Sequence, residues 1–485
     1  MLALQQQIQF SSFTGLYDLI VPKDNLLRKI NDLIDFSFIY EELLEKYCHN
    51  NGRTAESPIR MFKYLLLKTI YTISDVDVVE RSRYDMSFKY FLGMCPEEEV
   101  INPSSLTKFR KLRLKDTDLL NLLINKTVSI ALEKDIIRSK SIIVDATHSH
   151  SRSNPYSALD VLRERSKHLR KAVYAIDEDM SKRMPQKNDS NDLEKELIYC
   201  KELEKIIQSD QILQEIPSVK EKLNLLKETV EDTLEHYTLS KDQDARTGHK
   251  SADSSFFGYK THLAMSEERI ITAAVVTSGE KGDGPELPKL LEISQANGLQ
   301  VEAVIGDAAY SGKENLSLHN KQGQRIKIVS KLNPSITQGF RKDEDKFDYN
   351  KDADMFVCPA GHLAIRKARQ GKKEAGTNQT VTYYFDIEKC KVCPLKGNCY
   401  KPGAKTKSYS VSIKSGLHQE QMEFQETEYY REKSRLRYMI EAKNSELKNI
   451  HGYGRAISYG IQNMEMQGAL TIFTVNLKRI LALSK

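Results

Sequence analysis

The sequence contains no tryptophan, and only seven cysteines and 13 prolines among 485 residues. So few cysteines, and an odd number of them, exclude a disulfide scaffold at this size. Four of the seven crowd into the stretch from Cys358 to Cys399, which points to a metal rather than to bridges. No apolar run approaches the roughly 18–20 residues that a membrane span needs. Met1 to Phe10 is rich in glutamine and lacks a basic stretch followed by an apolar one, so no secretory signal is expected. These absences predict a reduced, cytoplasmic chain.

What is present is ordinary for a folded protein. Apolar residues make up 40% and charged residues 29%, and the length suits about two to four domains. Net charge is +6, but its placement says more than its size. Residues 1–100 carry 11 Lys and Arg against 15 Asp and Glu, whereas residues 401–485 carry 14 against 8. A second basic cluster comprises Lys108, Arg110, Lys111, Arg113 and Lys115. Local basic faces on a near-neutral chain suit a polyanion such as DNA. A solvated helix face is the plainer alternative.

Periodicity divides the chain. Over residues 20–135, apolar positions such as Leu26, Ile30, Leu33 and Ile34, then Ile59, Phe62, Leu65 and Leu66, recur at helical spacing. Ser57-Pro58 and Asn102-Pro103 read as helix starts. Ser141 to His148 is a β-branched run that delivers Asp145 at the end of a buried strand. Residues 156–241 are polar and helical, with a stripe through Leu193, Leu197, Cys200, Leu203 and Ile207, and predict a helical hairpin or coiled coil. Strand patterns resume at 256–264, 270–276, 300–306 and 326–330, so the helices are an insertion. The prediction is an α/β fold with a mixed sheet of about five strands. A long helix from about His418 to Lys448 follows a Cys-rich second insertion. Residues 1–135 form the head, 136–455 the sheet domain with inserts at 156–241 and 339–410, and 456–485 a terminal helix.

Two acids, Asp145 and Asp307, end predicted strands, where ligands bind at the rim of a sheet. Gly306 beside Asp307 leaves room for a backbone or phosphate. Ser434, Arg437, Glu441 and Lys448 are spaced by three, four and seven, and share one helix face at about 100° per residue. Glu446 points about 140° away from Glu441, so helix geometry selects Glu441. Three converging carboxylates repel unless they bind cations, and hard oxygen ligands favour Mg²⁺ or Mn²⁺. Arg437 and Lys448 would then meet phosphates. Taken singly, each acid also fits a strand-end or helix-surface carboxylate.

At these residues the sequence resembles the DDE transposases of bacterial insertion sequences. Asp145 in Ile-Val-Asp-Ala-Thr-His and Asp307 in Val-Ile-Gly-Asp-Ala-Ala-Tyr match the two aspartates of that family's RNase H-like fold. Arg437-x₃-Glu441-x₆-Lys448 matches its Tyr-x₂-Arg-x₃-Glu-x₆-Lys signature, with Ser434 where the family has tyrosine. Segments from Asn51, Arg83 and Ser104 resemble the helical head of such proteins, and Phe257 to His262 and Gly279 to Asp283 resemble segments between the two aspartates. The resemblance implies an Mg²⁺-dependent polynucleotidyl transferase with Asp145, Asp307 and Glu441 as metal ligands and catalytic acids. It further implies binding of terminal inverted repeats by a homodimer, cleavage of the ends and attack of the 3′-hydroxyls on target DNA. Lys108, Arg110, Lys111 and Arg113 of the head, with Arg437 and Lys448, are the candidate DNA contacts, and the protein would be nucleoid-associated when bound.

Cys390-x₂-Cys393-x₅-Cys399, with Cys358 some thirty residues earlier, suits a structural tetrahedral Zn²⁺, with His362 able to replace Cys399. His148 and His150 are read as loop or surface histidines first and as aids to the metal site second, and Asp244 and Asp283 as caps or turn residues first and as active-site neighbours second. Two rival functions stand beside the transposase: a metal-dependent nuclease without strand transfer and a catalytically inactive DNA-binding regulator. A third is an interaction scaffold built on the 156–241 helices.

Overall fold

The computed structural model describes residues 11–48, 54–153, 157–190, 192–210, 212–234, 242–251, 254–333, 336, 347–350, 353–370, 379–401, 403–412 and 415–484. Asn51 to Arg53 of the head and residues 339–346 and 371–378 of the Cys-rich insert lie outside them.

The head is helical, as its periodicity predicts. Asn25, Asn102 and Asp118 cap the helices Leu26–Leu33, Pro103–Leu112 and Leu119–Glu133 through their side chains, each satisfying a free backbone N–H. Pro58 opens the helix Pro58–Tyr71, whose side chains Phe62, Tyr64, Leu65, Leu66 and Leu67 are all buried.

A mixed sheet follows. Its strands are β1 (Ser141–His150), β2 (Arg246–Ser251), β3 (Ser254–Ser266), β4 (Ile271–Ser278), β5 (Ala303–Ile305) and β6 (Lys327–Val329). β3 lies antiparallel to β1, β2 and β4, while β5 is parallel to both β1 and β6. The five expected strands are present. The sixth, β2, is polar throughout, so no apolar alternation announces it.

Among the described residues, three hydrophobic cores form. The largest runs from head residues such as Leu27 and Phe62 through Val144 and Leu290 to Phe473. Residues 135 and 456 therefore bound elements rather than separate cores. The terminal helix Ile461–Leu483 is central to this one: Leu470, Ile472, Phe473, Val475, Leu477 and Ile480 are buried. Asn476 on it accepts from the backbone N–H of Ile271 at 2.9 Å and donates to the Ile271 carbonyl and the Thr127 hydroxyl, fastening sheet to head.

The 156–241 insertion is a bundle of three helices, Ala158–Tyr174, Leu193–Ser209 and Pro217–Leu234, rather than a hairpin. Asp192 caps the second and Pro217 starts the third, which breaks the chain into three, and a core of its own joins Leu169, Leu203 and Leu226. The Cys-rich insert holds a hairpin, Asp348–Asn350 with Met355–Val357, and a three-stranded sheet, Arg366–Gln370, Thr380–Phe385 and Lys407–Ser412. Its core is small: Phe347, Ala364, Tyr383, Phe385 and Tyr409.

The expected long helix is also divided. It consists of Gly416–Gln425, Glu428–Ser434, a 3₁₀ turn at Arg435–Arg437, Tyr438–Ser445 and a π-turn at Glu446–Ile450. Thr427 caps the second piece through its side chain, which makes the break. The 3₁₀ turn advances about 120° per residue rather than 100°, so Ser434, Arg437, Glu441 and Lys448 do not keep one uninterrupted face.

Candidate active site

The parallel pairing of β1 with β5 sets the site. Ile143 lies opposite Ile305, and Asp145 and Asp307 each stand two residues further on. Period-two alternation therefore puts both carboxylates level, on the same side of neighbouring chains. Asp307 caps the short turn Ala308–Tyr310, accepting from the Ala309 N–H at 2.9 Å. Gly306 makes this turn possible, because a Cβ there would come within 2.6 Å of the Tyr310 ring and 3.0 Å of Val144. The space expected to admit a phosphate is thus filled by Tyr310.

Asp283 belongs to this group. It is a turn residue, its carbonyl accepting from the Glu286 N–H at 3.2 Å at the start of the turn Gly284–Glu286, but its side chain makes no cap. Its carboxylate instead receives the Lys260 ammonium at 3.0 Å and lies 3.7 Å from Nδ1 of buried His262. Burial pushes the His262 pKa down to about 4. The Asp283 turn is pressed onto the Asp307 turn: a Cβ on Gly284 would meet the Ala309 carbonyl at 2.5 Å, and Asn315 donates to the Gly284 and Tyr310 carbonyls.

Burial, together with the negative charges of Asp307 and Asp283, pushes the Asp145 pKa up to about 6; the Ala146 N–H and the Arg437 charge oppose this. Tyr310 is fully buried, its hydroxyl has no hydrogen-bond partner among the described residues, and burial plus Asp283, Asp145 and Asp307 hold it in its neutral form. The arrangement is a half-buried pocket of hard oxygen donors with more negative charge than it neutralises.

The helix Tyr438–Ser445 reaches the pocket through a residue that the motif spacing did not single out. Asn444 donates to Asp145 Oδ2 at 2.9 Å. Glu441, three residues earlier, is exposed and pairs with Arg437 at 3.0 Å. The signal for Asn444 was available, since i and i+3 positions are helix neighbours. Lys448 donates to His148 Nδ1 at 3.2 Å, and His148 packs on the Phe256 ring. His148 is therefore a packed strand residue rather than a loop histidine.

The basic cluster of the head splits in two. Arg110 forms an ion pair with Asp75, which also holds Lys68, and Arg113 lies 4.3 Å over the Tyr47 ring and donates to the Lys46 carbonyl. Lys108 and Lys111 are exposed. Counting charges along the sequence cannot see a partner 35 residues away.

In the Cys-rich insert, Cys358, Cys390, Cys393 and Cys399 are free thiols that line one cavity with His362. Burial and then the charges of Cys399 and Cys358 raise the Cys390 pKa, so these sulfurs are neighbours. Tight turns shape the ligand loops: the Gly361 N–H donates to the Cys358 carbonyl at 2.8 Å, and that of Cys358 to His362 at 2.9 Å. Among the described residues, no three His, Cys, Asp or Glu side chains already close around a point as a metal cage, here or at Asp145.

Two family matches bear on this geometry. Residues 16–112 match a family described as a transposase domain (DUF772), and residues 357–481 match the transposase DDE domain. Both matches are to transposase domains, and together they support a DDE transposase of an insertion sequence. The first match covers most of the head. The second runs from the Cys-rich insert of the transposase through Glu441 to the terminal helix, and leaves Asp145 and Asp307 outside it. No curated protein and no solved structure matches the transposase. No helix among its described residues is long and apolar enough to cross a membrane.

Proposed function

We propose that this transposase cuts DNA at the terminal inverted repeats of its own insertion sequence and joins the freed 3′ ends to target DNA, acting as a homodimer. The observation that carries the reading is the β1–β5 register, which sets Asp145 and Asp307 side by side with the Glu441 helix bonded to Asp145 through Asn444. The pocket fits Mg²⁺ or Mn²⁺ in its chemistry. Its donors are carboxylate oxygens, its charge is under-compensated, and its Tyr310 hydroxyl lacks a partner among the described residues. Asp145, Asp307 and Glu441 would hold the metal. Bound divalent ions supply a more acidic water or 3′-hydroxyl and stabilise the leaving oxygen of a phosphodiester.

The chain's own groups do the rest. Asn444 donates to one oxygen of Asp145 and so ties the Glu441 helix to β1. Arg437 now neutralises Glu441. A DNA phosphate offers Arg437 a competing bidentate partner, which releases Glu441 toward the two aspartates. Lys448 carries a positive charge beside His148 of β1. The reaction is then positioning plus charge stabilisation at an in-line displacement, with no covalent protein intermediate.

Arg437→Ala separates this role from stability. The Arg437–Glu441 pair is about half exposed, 43% and 55%, and such pairs contribute little to folding. The variant is expected to unfold at the wild-type temperature while binding end DNA roughly tenfold more weakly. Wild-type affinity measured by fluorescence anisotropy would contradict the role.

For the Cys-rich insert we propose a structural Zn²⁺ on Cys358, Cys390, Cys393 and Cys399, with His362 the replacement for Cys399. The supporting observations are the shared cavity and a core that, among the described residues, holds five buried apolar side chains. Elemental analysis is expected to find about one zinc per chain in the parent and markedly less in Cys393→Ser. Equal zinc in both would end the proposal.

A further inference from the structure

The segment after Lys448 has no part in the acidic pocket, yet it is pinned at every turn. Gly454 and Ala456 bond to His150 at the end of β1, at 2.9 and 2.8 Å. The Ile450 carbonyl accepts from Thr72 at 3.0 Å, and His451 Nδ1 faces the Thr69 carbonyl at 3.2 Å. The Ile457 N–H donates to Gln467, and Gly460 is held by Asp242 and Tyr259. A loop so fixed would bury its apolar side chains if it served stability alone. Instead Ile457 is 54% and Tyr459 42% exposed.

Between this loop and the head runs a cleft of about 610 Å³. Among the described residues its cations are Lys68, Arg110, Lys111 and Arg152 and its one acid is Asp75, which Lys68 and Arg110 already neutralise. Lys111 has no partner among the described residues. Among the described residues Arg152 makes a single bond, to the Ile457 carbonyl at 3.2 Å. The third sign is His451, only 6% exposed, which lines the cleft and whose Nε2 has no hydrogen-bond partner among the described residues. Unspent positive charge, an unsatisfied buried nitrogen and an exposed apolar wall suit a nucleic-acid strand: phosphates on the cations, a base edge on the imidazole and a base face on Ile457.

We propose that this cleft is a path for the DNA, with Lys111 and Arg152 on successive phosphates and His451 and Ile457 on the bases. The proposal rests on the transposase reading, since the cleft lies at the far end of the strand that carries Asp145. It also explains why the loop is tied to both the head and β1: DNA held there is held in register with the acids.

The test compares full-length wild type, Lys111→Ala/Arg152→Ala and a control, Lys134→Ala/Lys321→Ala, whose residues do not line the cleft. Each binds a duplex carrying the terminal repeat of the element that encodes the chain, over a salt series. Loss of two phosphate contacts should lower the slope of log affinity against log salt by about 2 in the cleft variant alone, with thermal unfolding unchanged. His451→Ala should weaken repeat DNA more than an unrelated duplex, because it removes a base contact. A slope equal to that of the control, while wild type still binds and cleaves the repeat, overturns the cleft and leaves the transposase reading standing. Failure of wild type to bind any duplex overturns both.

Discussion

Asp145→Ala, Asp307→Ala and Glu441→Gln are each expected to lower cleavage of end DNA by on the order of 10³-fold or more, while the affinity for that DNA changes little. The geometry gives the reason. Asp145 and Asp307 are neighbours in a half-buried pocket where burial, and then the negative charges of Asp307 and Asp283, raise the pKa of Asp145. Such a site is costly to maintain unless it performs chemistry. None of the three side chains supports the core. Glu441 is exposed, and both aspartates are only half-buried. The pair of measurements is cleavage on a sequencing gel and binding by anisotropy on the same preparation. Binding lost in all three variants would show these residues to be structural.

The second large effect is on stability. Asn476→Leu is expected to destabilise the protein by about 2–5 kcal/mol, because it leaves the Ile271 N–H and carbonyl buried without partners. Thermal unfolding should fall by several degrees. The fall should appear in the transition of the main core, since Asn476 also reaches Thr127 of the head. The exposed pair Arg138–Asp135, at 73% and 76% exposure, supplies the control: Arg138→Ala should leave the transition where it is. An unchanged transition for Asn476→Leu would mean that the terminal helix is not fastened to the sheet as described.

Much of this arrangement was legible from local pattern. A β-branched run announces a buried strand, so β1 with Asp145 and β5 with Asp307 just past its end are readable, but β1 runs on to His150 and holds Asp145 in mid-strand rather than at the expected end. Caps such as Asn102 were readable too, because the capping bond spans only two residues. What escaped depends on partners distant in sequence. For Asp283 the sequence ranks a cap or turn above an active-site neighbour, because its partners Lys260 and His262 on β3 lie far off along the chain. Arg110 looked available for DNA until Asp75 took it. The strand β2 escaped because an all-polar run carries no alternation, and one continuous helix was expected because Thr427 and the 3₁₀ turn interrupt apolar periodicity too briefly to show. Asn444 was the one site residue that helical spacing could have delivered, being three residues past Glu441.

Excision and re-joining test the central claim most directly. The chain is co-expressed with a selectable marker flanked by the terminal repeats of its own element, as wild type and as Glu441→Gln. Movement of the marker by wild type and none by Glu441→Gln is the predicted result. Equal movement by both would remove Glu441 from the active site. No movement by either, with the repeats still bound by the purified protein, would contradict the catalytic reading and leave a DNA-binding regulator in its place.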